Sequence, residues 1–297
     1  MKKVINIISN PKKMICALAN RGLFNWLSDK KFLELYYYCK MGKKLDLENP
    51  KTYNEKLQWL KLYDRNELYC KLVDKYQVRQ YIKSTIGEKY LVPMIKMYES
   101  EKDINWNELP NEFVIKCTHG SASVIVCKNK NELNINYEKK KLKKWLSKNV
   151  FYYGREWPYK HLEPRIICEK LLKDKNGKIP EDYKIFCFNG EPVAISIHDG
   201  RFTEDYTHDI YDIDWKKLNV RRGIKNSNKI KDKPVNFDEM LEISRVLSKG
   251  LKHVRVDLYN LDGKIYFGEL TFFTASGFQG FEPNEYDYIW GDLITID

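Results

Sequence analysis

His253-Val254-Arg255-Val256-Asp257-Leu258-Tyr259, then Asp262-Gly263, then Tyr266-Phe267-Gly268-Glu269-Leu270-Thr271 reads as a β-hairpin, the last in the chain, with strands His253 to Tyr259 and Lys264 to Thr271. Side chains alternate between the faces of a strand, so Val254, Val256 and Leu258 take one face and leave Arg255 and Asp257 together on the other. Glu269 and Thr271 likewise share a face. Whether the two pairs meet depends on register. A two-residue Asp-Gly loop puts Asp257 and Glu269 on opposite sides, whereas a three-residue loop or a bulge sets them across from each other. In that second register two carboxylates stand beside an arginine, with about 5 Å between their Cα atoms. Anions so close repel unless a divalent cation lies between them. Hard carboxylate oxygens suit magnesium, which completes its octahedron with phosphate oxygens and water. The plain alternative is a surface ion pair of Arg255 with Asp257 or Glu269.

Working outward, Phe113-Val114-Ile115-Lys116-Cys117 and Ser123-Val124-Ile125-Val126-Cys127 are β-rich runs around a polar turn containing Gly120, which makes a hairpin or paired strands. Tyr183 to Phe188 and Pro192 to His198 are joined by Asn189-Gly190, a strong hairpin signal. The first hundred residues read as mostly helical. Thr52 and Glu55 form a capping box that opens an amphipathic segment, Tyr53 to Leu62, and a second helix is expected from Leu68 to Ser84. A Lys-rich helix over Tyr137 to Lys148 presents a solvated face, and another is expected near Phe237 to Leu251. Trp215 to Lys233 is polar and basic, which reads as a long loop or a mobile lid. No internal repeat or low-complexity tract is visible.

The chain has 297 residues, enough for about two domains at roughly 150 residues each. With 43% hydrophobic and 14% aromatic residues it reads as folded and not disordered. A formal net charge of +11 favours anionic partners: nucleotide, nucleic acid, acidic polysaccharide or a membrane surface. Seven cysteines are scattered without the spacing of a zinc site, which points to a reducing, cytoplasmic compartment. Cys117, Cys127, Cys168 and Cys187 sit in or beside apolar runs, where a thiol acts as a small hydrophobe. Met1 to Ile8 carries lysines and a short apolar run, but Pro11, Lys12 and Lys13 interrupt it, so no signal peptide is expected. No stretch of about 18 apolar residues occurs, so no transmembrane segment is expected, leaving only peripheral membrane contact through the basic surface.

Taken together, the order of these motifs resembles that of ATP-grasp ligases such as D-alanine:D-alanine ligase, and the whole chain looks like the TupA-like branch linked to teichuronopeptide and other surface-polymer synthesis. The resemblance runs from about Asp74 to Gly277. It implies an α/β (α+β) ATP-grasp fold in which two α+β subdomains sandwich ATP: a mostly helical region over 1–90, a small subdomain over 91–172 and a large one over 173–297. In that pattern Arg-Val-Asp followed by Glu-x-Asn binds Mg2+, with the arginine on the transferred phosphate. Arg255, Asp257 and Glu269 match it, and Thr271 stands where the family has asparagine. Within Asp74-Lys75-Tyr76-Gln77-Val78-Arg79 the resemblance gives Arg79 to the triphosphate, and Lys116 matches the lysine on the α and β phosphates. Thr118-His119-Gly120-Ser121-Ala122-Ser123 resembles the loop that closes over phosphates through backbone N–H groups, with Ala122 where a second glycine is common. His119 either orients a substrate or hydrogen-bonds backbone. Ile166 to Leu172 is similar to the hinge strand: backbone near Lys170 and Leu172 reads adenine and Glu169 supports its exocyclic amine. Asp182 matches the acid on the ribose hydroxyls, and Lys184 beside it faces phosphate or substrate. Ser276 and Gly277 fall where the family places its acceptor-side loop. Arg155, Glu156, His198, Arg201 and Lys216 are further polar residues for a substrate cavity.

The chemistry implied is acyl phosphate formation with ATP and Mg2+, followed by attack of an amine. By family analogy the partners are an amino acid and an acidic sugar or glycan acceptor, with no nucleic acid. Two other readings compete. One is a glycosyltransferase of surface polysaccharide assembly. The other is a non-catalytic basic polyanion-binding protein that uses Lys139 to Lys148 and Lys216 to Lys233, although no DNA-reading motif is present.

Overall fold

The computed structural model describes residues 10–174, 176–177, 179–200 and 204–296. Among these residues nine strands form two antiparallel sheets. The first contains β1 (Met94–Tyr98), β2 (Phe113–Cys117), β3 (Val124–Cys127) and β4 (Ile166–Glu169) in the order β1-β4-β2-β3. The second contains β5 (Glu181–Phe188), β6 (Glu191–Asp199), β7 (Thr207–Asp212), β8 (His253–Leu261) and β9 (Lys264–Thr271) in the order β7-β6-β5-β8-β9. All three hairpins read from the sequence are present. At the tips of two of them Asn189-Gly190 and Asp262-Gly263 both take positive φ, the geometry that suits a two-residue turn to the twist of its strands.

The large sheet has two unlike faces. Ile185, Ile195, Ile197, Val254, Val256 and Leu258 are buried on one, against Met240, Ile243 and Leu247 of the helix Phe237–Ser248. The opposite face divides along its length. At one end Phe186, Phe188 and His253 pack against Tyr53 and Trp290. At the other, the same strands present Asp182, Lys184, Asp257 and, from β9, Glu269. The aromatic half fastens the sheet to the helices Tyr53–Tyr63 and Glu285–Asp292, which leaves the polar half for chemistry.

In the small sheet Phe113, Ile115, Cys117, Ile125, Cys127, Ile166 and Cys168 form a separate core with Leu142 of the helix Ile135–Leu146. Cys117, Cys127, Cys168 and Cys187 are all buried thiols. Lys116 and Glu169 lie on the other face, toward the large sheet. Leu91 bridges to Phe267 where the two sheets approach.

The capping box forms: Thr52 Oγ1 accepts from Glu55 N at 3.3 Å and Glu55 Oε2 accepts from Thr52 N at 3.0 Å. One expectation is corrected. The helix expected over Leu68 to Ser84 is broken into Leu68–Val73 and Val78–Thr85, because buried Asp74 takes the N–H groups of Tyr76 and Gln77 on its carboxylate at 2.8 and 2.9 Å. A short acid bonding to nearby backbone competes with helix propagation. Of the two alternatives for the stretch from Trp215, the long irregular loop is the one present, fastened as a strap. Leu218 N donates to Ile210 O at 2.8 Å, Lys217 pairs with Asp209 at 2.8 Å, and the Trp215 indole donates to Lys231 O at 2.8 Å. No helix among the described residues is long and apolar enough to cross a membrane.

His253 ties the helix Tyr53–Tyr63 to the sheet, with Nδ1 3.0 Å from Cys187 O and Nε2 3.0 Å from Tyr53 Oη. The carbonyl can only accept, so Nδ1 carries the proton, Nε2 accepts from tyrosine, and the neutral ring is fully satisfied. Burial depresses its pKa from 6.5 to about 3, and Arg222 and Arg255 add to the fall against the bond to Cys187. A depressed histidine gives stability that is present above pH 6.5 and lost as pH falls toward the folded value. Between pH 6.5 and about 5 the expected loss is ~2 kcal/mol. Denaturant melts at several pH values should show this slope in wild type and a flatter one in His253→Gln.

Candidate active site

β8 and β9 resolve the register question in an instructive way. The loop is the two-residue Asp262-Gly263 with Leu261 opposite Lys264, and Leu258 pairs with Phe267, yet Asp257 pairs with Glu269 and Arg255 with Thr271. Gly268 is therefore the extra residue of a β-bulge, and it returns Glu269 to the face of Asp257. The bulge is tight: a Cβ on Gly268 would lie 3.0 Å from Asp257 O. Gly268→Val is accordingly expected to disturb the alignment of the carboxylates, read as lost activity with circular dichroism retained.

Around the carboxylates the charges interlock. Arg255 grips Asp257 with two bonds, Nε to Oδ1 at 2.6 Å and Nη2 to Oδ2 at 2.7 Å, and its Nη2 also reaches Glu269 Oε1 at 3.3 Å and Thr271 Oγ1 at 3.1 Å. Thr271 Oγ1 donates to Glu269 Oε1 at 3.2 Å. Lys184 ion-pairs with Asp257 and, at 2.8 Å, with Asp182. Lys75 lies 3.6 Å from Glu269 Oε2 and donates to Gly120 O at 2.6 Å. Burial would raise the Glu269 carboxyl, but Lys75, Arg255 and Lys184 bring it down to about 2. Burial pushes the Asp257 carboxyl up against the pull of Arg255 and Lys184.

Facing this cluster, Glu169 binds two cations, Arg79 Nη1 at 2.9 Å and Lys116 Nζ at 2.8 Å, and Arg79 Nη2 also donates to Val92 O at 2.9 Å. Burial would lower the Lys116 pKa, but Glu169 raises it, so the lysine is fully charged. Lys75, Arg79, Leu91, Lys116, Glu169 and Gly268 line one cleft between the sheets. The site thus brings Arg79, Lys116, Glu169, Asp182, Lys184, Arg255, Asp257, Glu269 and Thr271 to the facing surfaces of the two sheets. Among the described residues no group of three His, Cys, Asp or Glu side chains is arranged to hold a metal unaided. The donor set nevertheless fits magnesium: two opposed hard carboxylates, with the remaining positions left to phosphate and water.

Other candidates lie differently. His119 is buried and its Nε2 bonds Trp145 O at 3.3 Å, and burial lowers its pKa. Gly120 is backed by Val150, 2.8 Å from where a Cβ would stand, and Ser121 is exposed beside it. Lys170 N donates to Pro93 O at 2.9 Å, with Leu172 in the irregular segment that follows β4. Lys216 is exposed on the turn after β7, and Arg201 lies outside the described residues. Arg155 is an anchor: its guanidinium bonds the carbonyls of Phe24, Asn25 and Leu27 and stacks on Phe32. Ser276 and Gly277 pack on the helix Tyr53–Tyr63, where Gln58 Nε2 donates to Gly277 O at 2.8 Å. Sequence reasoning assigned no role to Lys75 or Lys61. The signal for Lys61 was a lysine between Leu60 and Leu62 on the apolar stripe of an amphipathic helix.

The TupA-like ATPgrasp family profile matches residues 55–295. No curated protein sequence matches significantly. Among solved structures, the chain is similar to D-alanine–D-alanine ligase from Bacillus anthracis complexed with ATP, at 18% identity and TM-score 0.40, covering 68% of this chain and 55% of that one. It is also similar to D-alanine–D-alanine ligase from Helicobacter pylori, at 14% identity and TM-score 0.42, covering 76% and 61%. A third is L-amino acid ligase from Bacillus licheniformis, at 12% identity and TM-score 0.44, covering 88% and 55%. The chain spans less than two thirds of each of these proteins. With the profile covering most of its length, the chain belongs to the TupA-like ATP-grasp family.

Proposed function

We propose that the protein is an ATP-dependent carboxylate–amine ligase that forms an amide through an acyl phosphate. The observation that carries this reading is the Asp257–Glu269 pair, aligned by the Gly268 bulge and set opposite Lys116 and Arg79. In this reading 91–172 covers the nucleotide, 173–297 carries the metal site and 1–90 braces both. Magnesium held by Asp257 and Glu269 would neutralise charge on the transferred phosphoryl group. Lys116 and Arg79 would cradle the triphosphate, and Arg255, Lys184 and Lys75 would face the γ-phosphoryl oxygens as the substrate carboxylate attacks phosphorus. Because these cations are already held by carboxylates, little reorganisation accompanies the reaction. Closure of the two sheets would exclude water from the acyl phosphate until an amine attacks it. The substrates we propose are an amino acid and a hexuronic acid of a bacterial surface polysaccharide, with the reaction in the cytoplasm, where ATP is available. Family membership and the net charge of +11, suited to an acidic glycan, support that choice.

The test is ADP and phosphate release with ATP, magnesium, pooled amino acids and glucuronic or galacturonic acid, with products followed by mass spectrometry. Amine-dependent ADP release with a mass gain of amino acid minus water is the expected result. No nucleotide turnover across a broad acceptor panel would sink the reading.

A further inference from the structure

The polar half of the large sheet does not end at the phosphoryl centre. Glu269, Asp257, Lys184 and Ser196 stand in one row on β9, β8, β5 and β6, each paired across the ladder with the next. His198 lies two positions beyond Ser196 on the same face of β6 and pairs with His208 on β7. The metal pair thus holds the side of this face next to the small sheet, where Leu91 bridges to Phe267. Ser196, His198 and His208 hold the far side. Neighbouring strands lie about 4.8 Å apart, so Ser196 is displaced from Asp257 by about 10 Å and His208 by about 14 Å.

On that far side the side chains form one hydrogen-bonded chain. Tyr206 Oη lies 2.6 Å from His198 Nδ1, His198 Nε2 lies 3.4 Å from Ser196 Oγ, and Ser196 Oγ bonds His208 Nε2. The two imidazoles stack with centroids 4.2 Å apart, 11° from parallel, and the Tyr206 ring stacks on His198 at 5.8 Å. Ser196 and His208 are buried, whereas His198 and Tyr206 are half-exposed, so the chain has a fixed inner end and an outer end that reaches the surface. The strap pins the inner end: His208 N donates to Lys225 O at 3.1 Å, and Asn226 Nδ2 donates to His208 O at 3.1 Å. Burial, with the charge of Arg222 adding to it, brings the His208 pKa down to about 4, so this ring is neutral near neutral pH.

A hydroxyl and a neutral imidazole each donate and accept, so the direction of such a chain is reversible and its outer hydroxyl can offer a ligand either a lone pair or a proton. Sugar hydroxyls have the same dual character. An amino acid would instead call for fixed charges opposite its ammonium and carboxylate. The strap segment bonded to β7 adds exposed Lys225 and Lys229, which suit an acidic chain.

We propose that Tyr206 and His198 bind the sugar residue next to the reacting uronic acid, with Ser196 and His208 as positioning residues behind them. The proposal rests on the ligase reading, which sets the reacting carboxylate beside the magnesium held by Asp257 and Glu269. A displacement of about 10 Å is more than one sugar ring reaches from its own carboxyl group, so what lies on β6 and β7 is the neighbouring residue of a chain. The substrate class is therefore an oligosaccharide or longer glycan that contains a uronic acid, and a free monosaccharide fills only part of the site.

The experiment compares acceptors of different length. Wild type, Tyr206→Phe and His198→Gln are given ATP, magnesium and pooled amino acids with galacturonate or digalacturonate, and in a second series with glucuronate or a glucuronate–N-acetylglucosamine disaccharide, and amine-dependent ADP release is followed. In at least one series the wild-type kcat/KM should be about tenfold higher for the disaccharide than for the monosaccharide, carried by KM, as two added neutral hydrogen bonds would give. Each variant should lose about threefold to tenfold of that preference, the share of one such bond. Tyr206→Phe keeps the ring that stacks on His198, so its thermal unfolding should match wild type and separate lost recognition from lost folding. Monosaccharides used as well as disaccharides by wild type in both series, equal losses on both lengths in the variants, or a raised KM for the amino acid in place of the sugar overturns the subsite and leaves the ligase standing. No ADP release with any acceptor sinks the ligase reading, and the subsite falls with it.

Discussion

Asp257→Asn should lower the rate of ATP-dependent coupling by roughly a hundredfold to a thousandfold, because removing one preorganised group that stabilises developing charge costs about 3 to 4 kcal/mol in the barrier. The amide keeps the shape of the carboxylate and removes its charge. Asp257 is 2% exposed, so no water can substitute for that charge. Arg255 retains Glu269 and Thr271 as partners and Lys184 retains Asp182, so neither cation is abandoned. The variant should therefore fold. ADP release measured alongside thermal unfolding decides the matter. A rate near wild type removes Asp257 from the chemistry, and a collapse of the fold would show that its charge serves structure first.

Gly291→Ala is expected to give the largest stability loss. A Cβ there would lie 2.0 Å from Lys51 O and 2.9 Å from both Thr52 C and Tyr53 N. These are backbone atoms at the cap of the helix Tyr53–Tyr63, and they cannot turn aside as a side chain would. Forcing a methyl group between the two helices should cost about 3 kcal/mol or more. For a protein of this size that is a fall in Tm of roughly 6 to 12 °C. Gly280→Ala, where the nearest atom is Met41 Cε at 4.0 Å, is the matched control and should melt near wild type. Equal melting of the two variants would show that the helices separate at little cost.

Local signals were read well. The capping box at Thr52, the turns at Asn189-Gly190 and Asp262-Gly263, and the two-faced strand with Val254, Val256 and Leu258 inward are all present, because each depends on neighbours within a few residues. The carboxylate pair was legible as a choice between registers, and the sequence held no means of choosing. Gly268 forms the bulge through a close approach to Asp257 O, a contact between strands. Asp74 broke an expected helix for a related reason. Its side chain lies at full burial and its only recourse is nearby N–H groups, and burial is not written in local periodicity. Lys61 was hardest to foresee. Its ammonium reaches the carbonyl and hydroxyl of Ser276, 215 positions along the chain.

The bulge also has an evolutionary meaning. Deleting Gly268 alone would leave Arg255, Asp257, Glu269 and Thr271 untouched as residues and would let the two-residue turn set Asp257 opposite Glu269 in a regular ladder, since Leu258 already pairs with Phe267. The bulge thus absorbs one extra residue, and the acidic pair survives the gain or loss of that single codon with no substitution needed. A relative one residue shorter between the turn and Glu269 would therefore keep its two acids across from each other with no bulge at all.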